Sequence, residues 1–302
     1  METTFSVVIP TLDRFDDLKN CVISIDEQSR RPEEVIVVDD GDLSEKKSNI
    51  LYDILSDEIK FKITESDGPP GLSTARNTGA TVATSTICVI IDDDVVLGES
   101  YIARLETVYN SIDDPKLAGV GGFDTNLRSP SKLENLFNRI FYLNGDGWSI
   151  SSTGIQSWDS TIDKPVRSDW LSGNNASYWT DVLEDHPFRH WNGGRETLED
   201  VAMGWELKRN DYFCVVDPKL ELTHADTEMN DDPLDFGIKR ACNRLRIFYE
   251  FGDQSDTPKA AWAFIGDILR HVIAPAADRR VKYHWLVAAG MAIGFLKQVF
   301  SR

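Results

Sequence analysis

Basic residues are scarce in this 302-residue chain. Lys and Arg number 32 against 50 Asp and Glu, a formal net charge of −18. That balance excludes a nucleic-acid binder, because neutralising a phosphate backbone takes Lys and Arg. Cysteine is equally sparse. Cys21, Cys88, Cys214 and Cys242 show neither close pairing nor metal-ligand spacing, so they read as free thiols in a reducing compartment. There is no repeat, no Pro/Gly/Ser tract and no low-complexity segment. The chain opens on "FSVVIP", with no basic and apolar leader before it, so no signal peptide is expected. The longest uncharged run near the C-terminus, "YHWLVAAGMAIGFL" at 283–296, falls short of the ~20 apolar residues of a spanning helix.

What is present is a 41% hydrophobic composition arranged as strands alternating with helices. Buried-type strands are expected at 5–10, 33–41, 59–64, 86–94, near 117–123 and at 212–218. Helical stripes fall at 15–29, 44–56, 99–111, 197–209, 234–250 and 259–273, and "GPPGLSTARNTGA" (68–80) reads as a loop entering a short helix. Residues 124–180 look irregular. This alternation predicts an α/β fold with a mostly parallel, Rossmann-like sheet flanked by helices. Ligands of such sheets bind beyond the carboxyl ends of the strands.

The polar residues of this half cluster where those ends should lie. "VIIDDDV" stops a buried strand in three carboxylates, Asp92, Asp93 and Asp94. Two residues apart in extended chain, Asp92 and Asp94 point to one side. They suit a hard divalent cation completed by phosphate oxygens. Pro10, Thr11 and Asp13, then Asp39 and Asp40, then Arg76 and Asn77, are expected to share the same crevice.

Five stretches, "SVVIPTLDR", "VVDDGD", "GLSTARNTG", "VIIDDDV" and "TLEDVAMGWELKR", resemble the GT-A glycosyltransferases of family 2 in order and spacing over residues 5–209. The resemblance implies an inverting transferase that takes a sugar from a nucleoside diphosphate, UDP ahead of GDP, with Mg²⁺ or Mn²⁺. By position, Pro10, Thr11 and Asp13 match the first nucleotide-contacting turn. Asp39 and Asp40 match a carboxylate that accepts from the base or ribose, and Arg76 and Asn77 the segment closing over the nucleotide. Asp92 and Asp94 match the metal-binding DxD, with Asp93 between them. Asp200 matches the general base, with Glu199 as its supporting neighbour. Gly173 and Asn174 resemble the acceptor loop. His224 lies where relatives contact metal or diphosphate. His186 and His190 read as ordinary or acceptor-lining residues, and the Trp residues at 148, 158, 170, 179 and 191 as core or sugar-stacking. Arg128, Arg167, Arg189 and Arg195 are equal candidates for selecting a uronate.

The expected division is a catalytic domain over 1–235 (nucleotide-sugar half 1–123, acceptor half 124–235) and a basic helical region over 236–302. Residues 259–302 carry seven Lys/Arg against two acids, a net +5 that leaves −23 for residues 1–258. A basic amphipathic pair of helices suits the surface of an anionic bilayer. The expected location is the cytoplasmic face of the cell membrane, peripheral or monotopic. The alternatives are helices packed on the catalytic domain, or a single span through 281–300. An acidic body suits a high-salt cytoplasm and resembles haloarchaeal proteins. The resemblance then extends to transferases building dolichol-phosphate-linked saccharides for surface-layer N-glycosylation. Other readings are a transferase acting on an exopolysaccharide or glycolipid precursor, and a non-catalytic nucleotide- or carbohydrate-binding scaffold of the same fold. A nucleotidyltransferase lacks its glycine-rich triphosphate loop after the first strand.

Overall fold

A computed structural model describes residues 3–122, 130–191, 196–224, 232–273 and 281–300. Arg128, Arg195, Arg279, Arg280 and Arg302, and the last residue of the strand expected near 117–123, lie outside them. The strands are β1 (Phe5–Thr11), β2 (Glu34–Asp39), β3 (Lys60–Thr64), β4 (Ile87–Ile91), β5 (Val95–Leu97), β6 (Leu117–Gly121), β7 (Val166–Ser168), β8 (Asn175–Trp179), β9 (Phe213–Val216) and β10 (Leu222–His224). The helices are α1 (Phe15–Asp26), α2 (Glu45–Ile54), α3 (Leu72–Val82), α4 (Tyr101–Ser111), α5 (Lys132–Ile140), α6 (Thr180–Asp185), α7 (Glu199–Arg209), α8 (Pro233–Phe251), α9 (Thr257–Ile273) and α10 (Val281–Phe300).

Among the described residues the main sheet runs β3-β2-β1-β4-β8-β6-β9-β7. β3, β2, β1 and β4 are mutually parallel, as are β6 and β9, while β8 runs antiparallel between β4 and β6. The expected α/β architecture with a mostly parallel sheet is what the chain adopts, with helices appended at the C-terminus.

β1 is buried along its whole length because helices cover both faces, and such strands read as unbroken apolar runs. Alternate side chains serve opposite layers. Val7 and Ile9 pack with α1, α2 and α4, whereas Val8 packs on the side of α3, α6 and α7. Gly79 lets α3 lie directly on Val8, which a Cβ would strike. This close approach fixes Arg76 one turn earlier in the helix.

Two features place the site. First, β1 and β2 end level, Thr11 beside Asp39, and β4 stops just short of them, with Val8 level with Ile90, so that Asp92–Asp94 follow alongside the end of β1. Second, antiparallel β8 starts where parallel β4 stops, pairing Asn175 with Ile91. The loop before β8, with Gly173 and Asn174, is therefore delivered to the edge where Asp92 emerges.

Residues 124–180 are more regular than their composition suggests, since α5, β7 and β8 fall within them. The C-terminal helices pack on one another. Gly290 and Gly294 of α10 approach the α8 backbone at Leu234 and Ile238, and Gly237 of α8 approaches Val287. No helix of the described residues is long and apolar enough to cross a membrane, which removes the single-span alternative for α10.

Candidate active site

The three aspartates after β4 have different partners. Asp93 is 5% exposed. It accepts from the Thr11 hydroxyl at 2.8 Å and from Arg14 Nη1 at 3.2 Å. Arg14 Nη1 also donates to Asp94 at 2.8 Å. Burial pushes the Asp93 carboxyl up to about 6, against the pull of Thr11 and Arg14. Arg14 stands in the stretch "TLDR" but escaped the sequence reading, because one arginine among several carries no pattern. Its signal was its place one residue after Asp13.

β10 pairs antiparallel with β5, setting His224 opposite Val95, the residue after Asp94. His224 Nε2 lies 3.3 Å from Asp94 Oδ1. Asp92, Asp94 and His224 each offer one ligand atom, all within 4.8 Å of one another. Two carboxylate oxygens and one imidazole nitrogen fit a divalent cation, with coordination left to be completed by phosphate oxygens or water.

Beneath this cluster lies Arg76, 1% exposed. It donates to Asp92 at 3.1 Å, to Glu199 at 2.8 Å and to the Gly173 carbonyl at 2.8 Å, and its guanidinium stacks over Phe188. A Cβ on Gly173 would sit 3.0 Å from two of its nitrogens, so glycine is what admits the guanidinium there. Arg76 therefore points inward and ties three loops together. Asn77 also faces protein, exchanging hydrogen bonds with the Phe188 backbone at 2.8 and 2.9 Å.

Leu198, just before α7, holds a left-handed φ of 66°. Such backbone in a buried leucine is sparsely populated, and it sets the helix start against the Gly173 loop. Asp200 accepts from the backbone N–H of Val201 at 2.8 Å and of Gly173 at 3.4 Å. Burial, then the neighbouring Glu199 charge, push its carboxyl up to about 7. A carboxyl poised near neutrality suits proton abstraction.

The residues expected on the nucleotide side lie along the same edge. Asp13 has a positive φ of 58° and accepts from Asp42 N at 3.2 Å. Asp39 caps its own loop, accepting from Gly41 and Leu43 N–H at 2.9 Å each. Asp40 accepts from Gly71 N at 2.9 Å, just ahead of α3. Pro10 is buried within β1. Asn174 accepts from Ser172 at 2.8 Å. A residue that sequence reasoning missed is Glu196, buried, accepting from Ser73 N at 2.8 Å and lying 3.1 Å from His190. His186 instead lies 3.2 Å from Glu206. Trp148 and Trp170 are buried and packed together. Arg167 lies over Phe213, and Arg189 pairs with Glu206 and Glu250.

Comparison with known proteins agrees with this geometry. Residues 6–143 match the family described as Glycosyl transferase family 2. The glycosyltransferase GlyG of Streptococcus pneumoniae is 26% identical over 176 residues, covering 58% of this chain and 54% of that protein. The glucosyl-dolichyl phosphate glucuronosyltransferase of Haloferax volcanii is 29% identical over 119 residues, covering 39% of this chain and 37% of that one. The chain thus spans about half the length, or less, of these curated relatives. Among solved structures, the mannosyltransferase PcManGT from Pyrobaculum calidifontis, in complex with GDP-Man and Mn²⁺, superposes with a TM-score of 0.62 at 16% identity. That match covers 100% of this chain and 88% of the other. Residues 6–143 are thus similar to glycosyl transferase family 2, and the chain as a whole has a GT-A-like fold.

Proposed function

We propose that the chain is a metal-dependent, inverting glycosyltransferase that moves a hexosyl or glycuronosyl unit from a nucleoside-diphosphate sugar to an acceptor hydroxyl. The observation that carries this reading is the Arg76 bridge, which holds Asp92 of the DxD stretch and Glu199, the neighbour of Asp200 at the start of α7, on one guanidinium. Donor and acceptor machinery then share one rigid centre.

In this reading Asp92, Asp94 and His224 hold Mg²⁺ or Mn²⁺ against the donor diphosphate. The cation supplies charge neutralisation as the nucleoside diphosphate leaves. Asp93 keeps Thr11 and Arg14 in place beside them. Pro10, Thr11, Asp13, Asp39 and Asp40 line the nucleotide side, where an ionised carboxylate accepts from a base imide or a ribose hydroxyl. UDP is preferred to GDP on the family resemblance, although the structural neighbour holds GDP-Man. Arg76 and Asn77 shape the pocket from below. Asp200 takes the proton of the acceptor hydroxyl, with Glu199 fixed by Arg76 beside it, and Gly173 and Asn174 border the acceptor. Single displacement at the anomeric carbon inverts it.

The acceptor in this reading is a lipid-linked saccharide, as for the Haloferax volcanii relative, whose name places it on a dolichyl phosphate. Residues 1–235 act as the catalytic unit, with 1–123 the donor half and 124–235 the acceptor half. Residues 236–302, together with α5, face the membrane. Leu133, Leu136 and Ile140 of α5 are 80%, 56% and 53% exposed, and Trp262 and Ile265 of α9 and Trp285 of α10 are exposed as well. The Trp262 indole donates to the Ile140 carbonyl at 2.9 Å, so α5 and α9 form one surface. Such a surface suits the interface of an anionic bilayer on the cytoplasmic side.

The test is nucleotide release from UDP- and GDP-sugars with Mn²⁺, comparing the wild type with Asp94→Ala and Asp200→Ala. Loss of turnover in both variants is expected. Near-normal turnover in both sinks the residue roles. Strong nucleotide binding that ignores a chelator, with no turnover in any protein, selects the scaffold reading.

A further inference from the structure

Away from the crevice, α8, α9 and α10 enclose a second cavity of about 120 Å³ together with the segment holding Thr153 and Ile155. Its walls are apolar, including Phe248, Phe264 and Phe295. Its rim includes Thr257 and Ala261, both exposed. Two charged residues enter this lining, Arg244 and Asp267.

Arg244 is 5% exposed. Its guanidinium donates to the Gly154 carbonyl and, at 3.2 Å, to Gln156 Oε1. Both partners are neutral, and its Nε has no hydrogen-bond partner among the described residues. Asp267, 2% exposed, is already shared by Arg240 at 3.3 Å and Arg270 at 4.0 Å. Three guanidiniums therefore surround one carboxylate. Burial and the Arg240 charge hold the nearby His271 ring down at about 4, so it adds no charge at neutral pH. Burial lowers Arg244 to about 9, and the guanidinium still carries its proton there. Buried charges are ordinarily paired, and a buried polar atom without a partner asks for one. Two further acids act on these guanidiniums from nearby, Glu134 on Arg270 and Asp200 on Arg244, and the buried Arg244 Nε, without a partner among the described residues, is the donor an anion would meet.

The cavity also adjoins the catalytic helix. Asn243, next to Arg244, donates to the Thr197 carbonyl at 3.0 Å, just ahead of Glu199 and Asp200. Gly154 lies against Trp205 of α7.

We propose that this cavity binds an amphiphilic anion, a phosphate-headed lipid-like molecule. Its head meets Arg244 inside, and its apolar stem runs past Phe248 and Phe264 to the mouth between Thr257 and Ala261. Arginine suits a phosphate or carboxylate because its fork matches planar oxygen pairs. Asp267 does not repel such a head, because Arg240 and Arg270 already neutralise it. On the same helix Trp262 and Ile265 are exposed, so apolar surface lies near for the stem to leave onto. The site stands on its own geometry. If the transferase reading holds as well, the molecule bound here shares the acceptor's class.

The test is calorimetric titration of the full chain with geranyl phosphate, geraniol, inorganic phosphate and short-chain phosphatidylglycerol. Geranyl phosphate is expected to bind at least ~10-fold tighter than either geraniol or phosphate, since head and stem each contribute. Arg244→Gln, and the cavity-filling Ala260→Leu, should each weaken it by at least ~10-fold. Mn²⁺–nucleotide binding in both variants should stay as in the wild type, which shows that they fold. Phosphatidylglycerol binding comparably assigns the site to a membrane lipid, and binding of the prenyl phosphate alone assigns it to a polyprenyl carrier. Equal binding of inorganic phosphate and geranyl phosphate overturns the proposal, as does unchanged affinity in Ala260→Leu. A chain that binds geranyl phosphate but turns over no nucleotide sugar keeps this inference and loses the transferase reading. The converse outcome separates them the other way.

Discussion

Arg76 Nη1 donates to Glu199 Oε1 at 2.8 Å in a fully buried pair. The same guanidinium reaches Asp92, so one side chain from α3 joins the end of β4 to the start of α7. Removing it strands two carboxylates. Arg76→Ala is expected to destabilise the protein by ~3–5 kcal/mol, the usual cost of breaking a buried ion pair from one side. For a domain of this size that lowers Tm by roughly 10 °C. Glu199→Gln, which keeps a hydrogen-bonding amide, should cost less. Urea denaturation measures both, and a loss below ~1 kcal/mol in Arg76→Ala would show that the bridge holds nothing.

In the proposed reaction Asp200, as the base, would set the pH dependence. Its carboxyl is raised to about 7 by burial and by Glu199, and a base works only once deprotonated. Turnover should therefore climb as pH rises towards about 7 and level off above it. Asp200→Asn should flatten that limb and lower kcat by ~10²–10⁴-fold. Stability runs the other way. The native state holds a proton that the unfolded chain releases near pH ~4, so stability falls as pH rises from about 4 to about 7. Asp200→Asn should remove that slope. A turnover limb that survives unchanged in Asp200→Asn assigns the base elsewhere.

The cation cluster is checked by thermal shift. At 100 times its Kd, Mn²⁺ should stabilise the wild type by ~2.7 kcal/mol. His224→Ala should weaken binding by about tenfold, a loss of ~1.4 kcal/mol, and Asp94→Asn should abolish the shift. Arg14 donates to the same Asp94 carboxylate and is 40% exposed at its side chain, so its ion pairs are worth only ~0.5–1 kcal/mol after solvent screening. Arg14→Ala leaves Asp93 and Asp94 without that cation. It should lower stability slightly without metal and enlarge the Mn²⁺ shift. A smaller shift in Arg14→Ala would count against competition between arginine and metal.

The exposed face of α5 tests the membrane assignment. Leu133→Ser combined with Leu136→Ser should leave thermal stability within ~0.5 kcal/mol, since exposed substitutions rarely cost more. Co-sedimentation with phosphatidylglycerol vesicles should fall at least ~5-fold, because each apolar side chain withdrawn from the interface weakens binding. Equal sedimentation of variant and wild type moves the contact to another surface.

Much of the N-terminal half was legible before the structure. β1, β2, β3 and β4 fall within a few residues of their expected bounds, because buried parallel strands read as apolar runs. Asp39 and Asp92 sit at their ends because polar residues can only follow where the strand leaves the core. β8 was missed, since "NASYW" is short and mixed. α5 was missed although Leu133, Leu136, Phe137 and Ile140 repeat at helical spacing, because its nine residues lie inside a Ser- and Asn-rich stretch read as irregular. Asn77 was placed over the nucleotide by resemblance, whereas its amide is spent on Phe188.

By itself the amino-acid sequence determined the alternation of strands and helices and the edge at which the acids gather. Both follow from local periodicity and from the cost of burying charge. Only the tertiary structure decided which groups meet there. His224 reaches Asp94 through the pairing of β10 with β5, Gly173 reaches Arg76 because β8 enters antiparallel, and Arg14 lies across Asp93 and Asp94. Those contacts join residues far apart along the chain, or turned by one loop's geometry, and no short-range pattern encodes them.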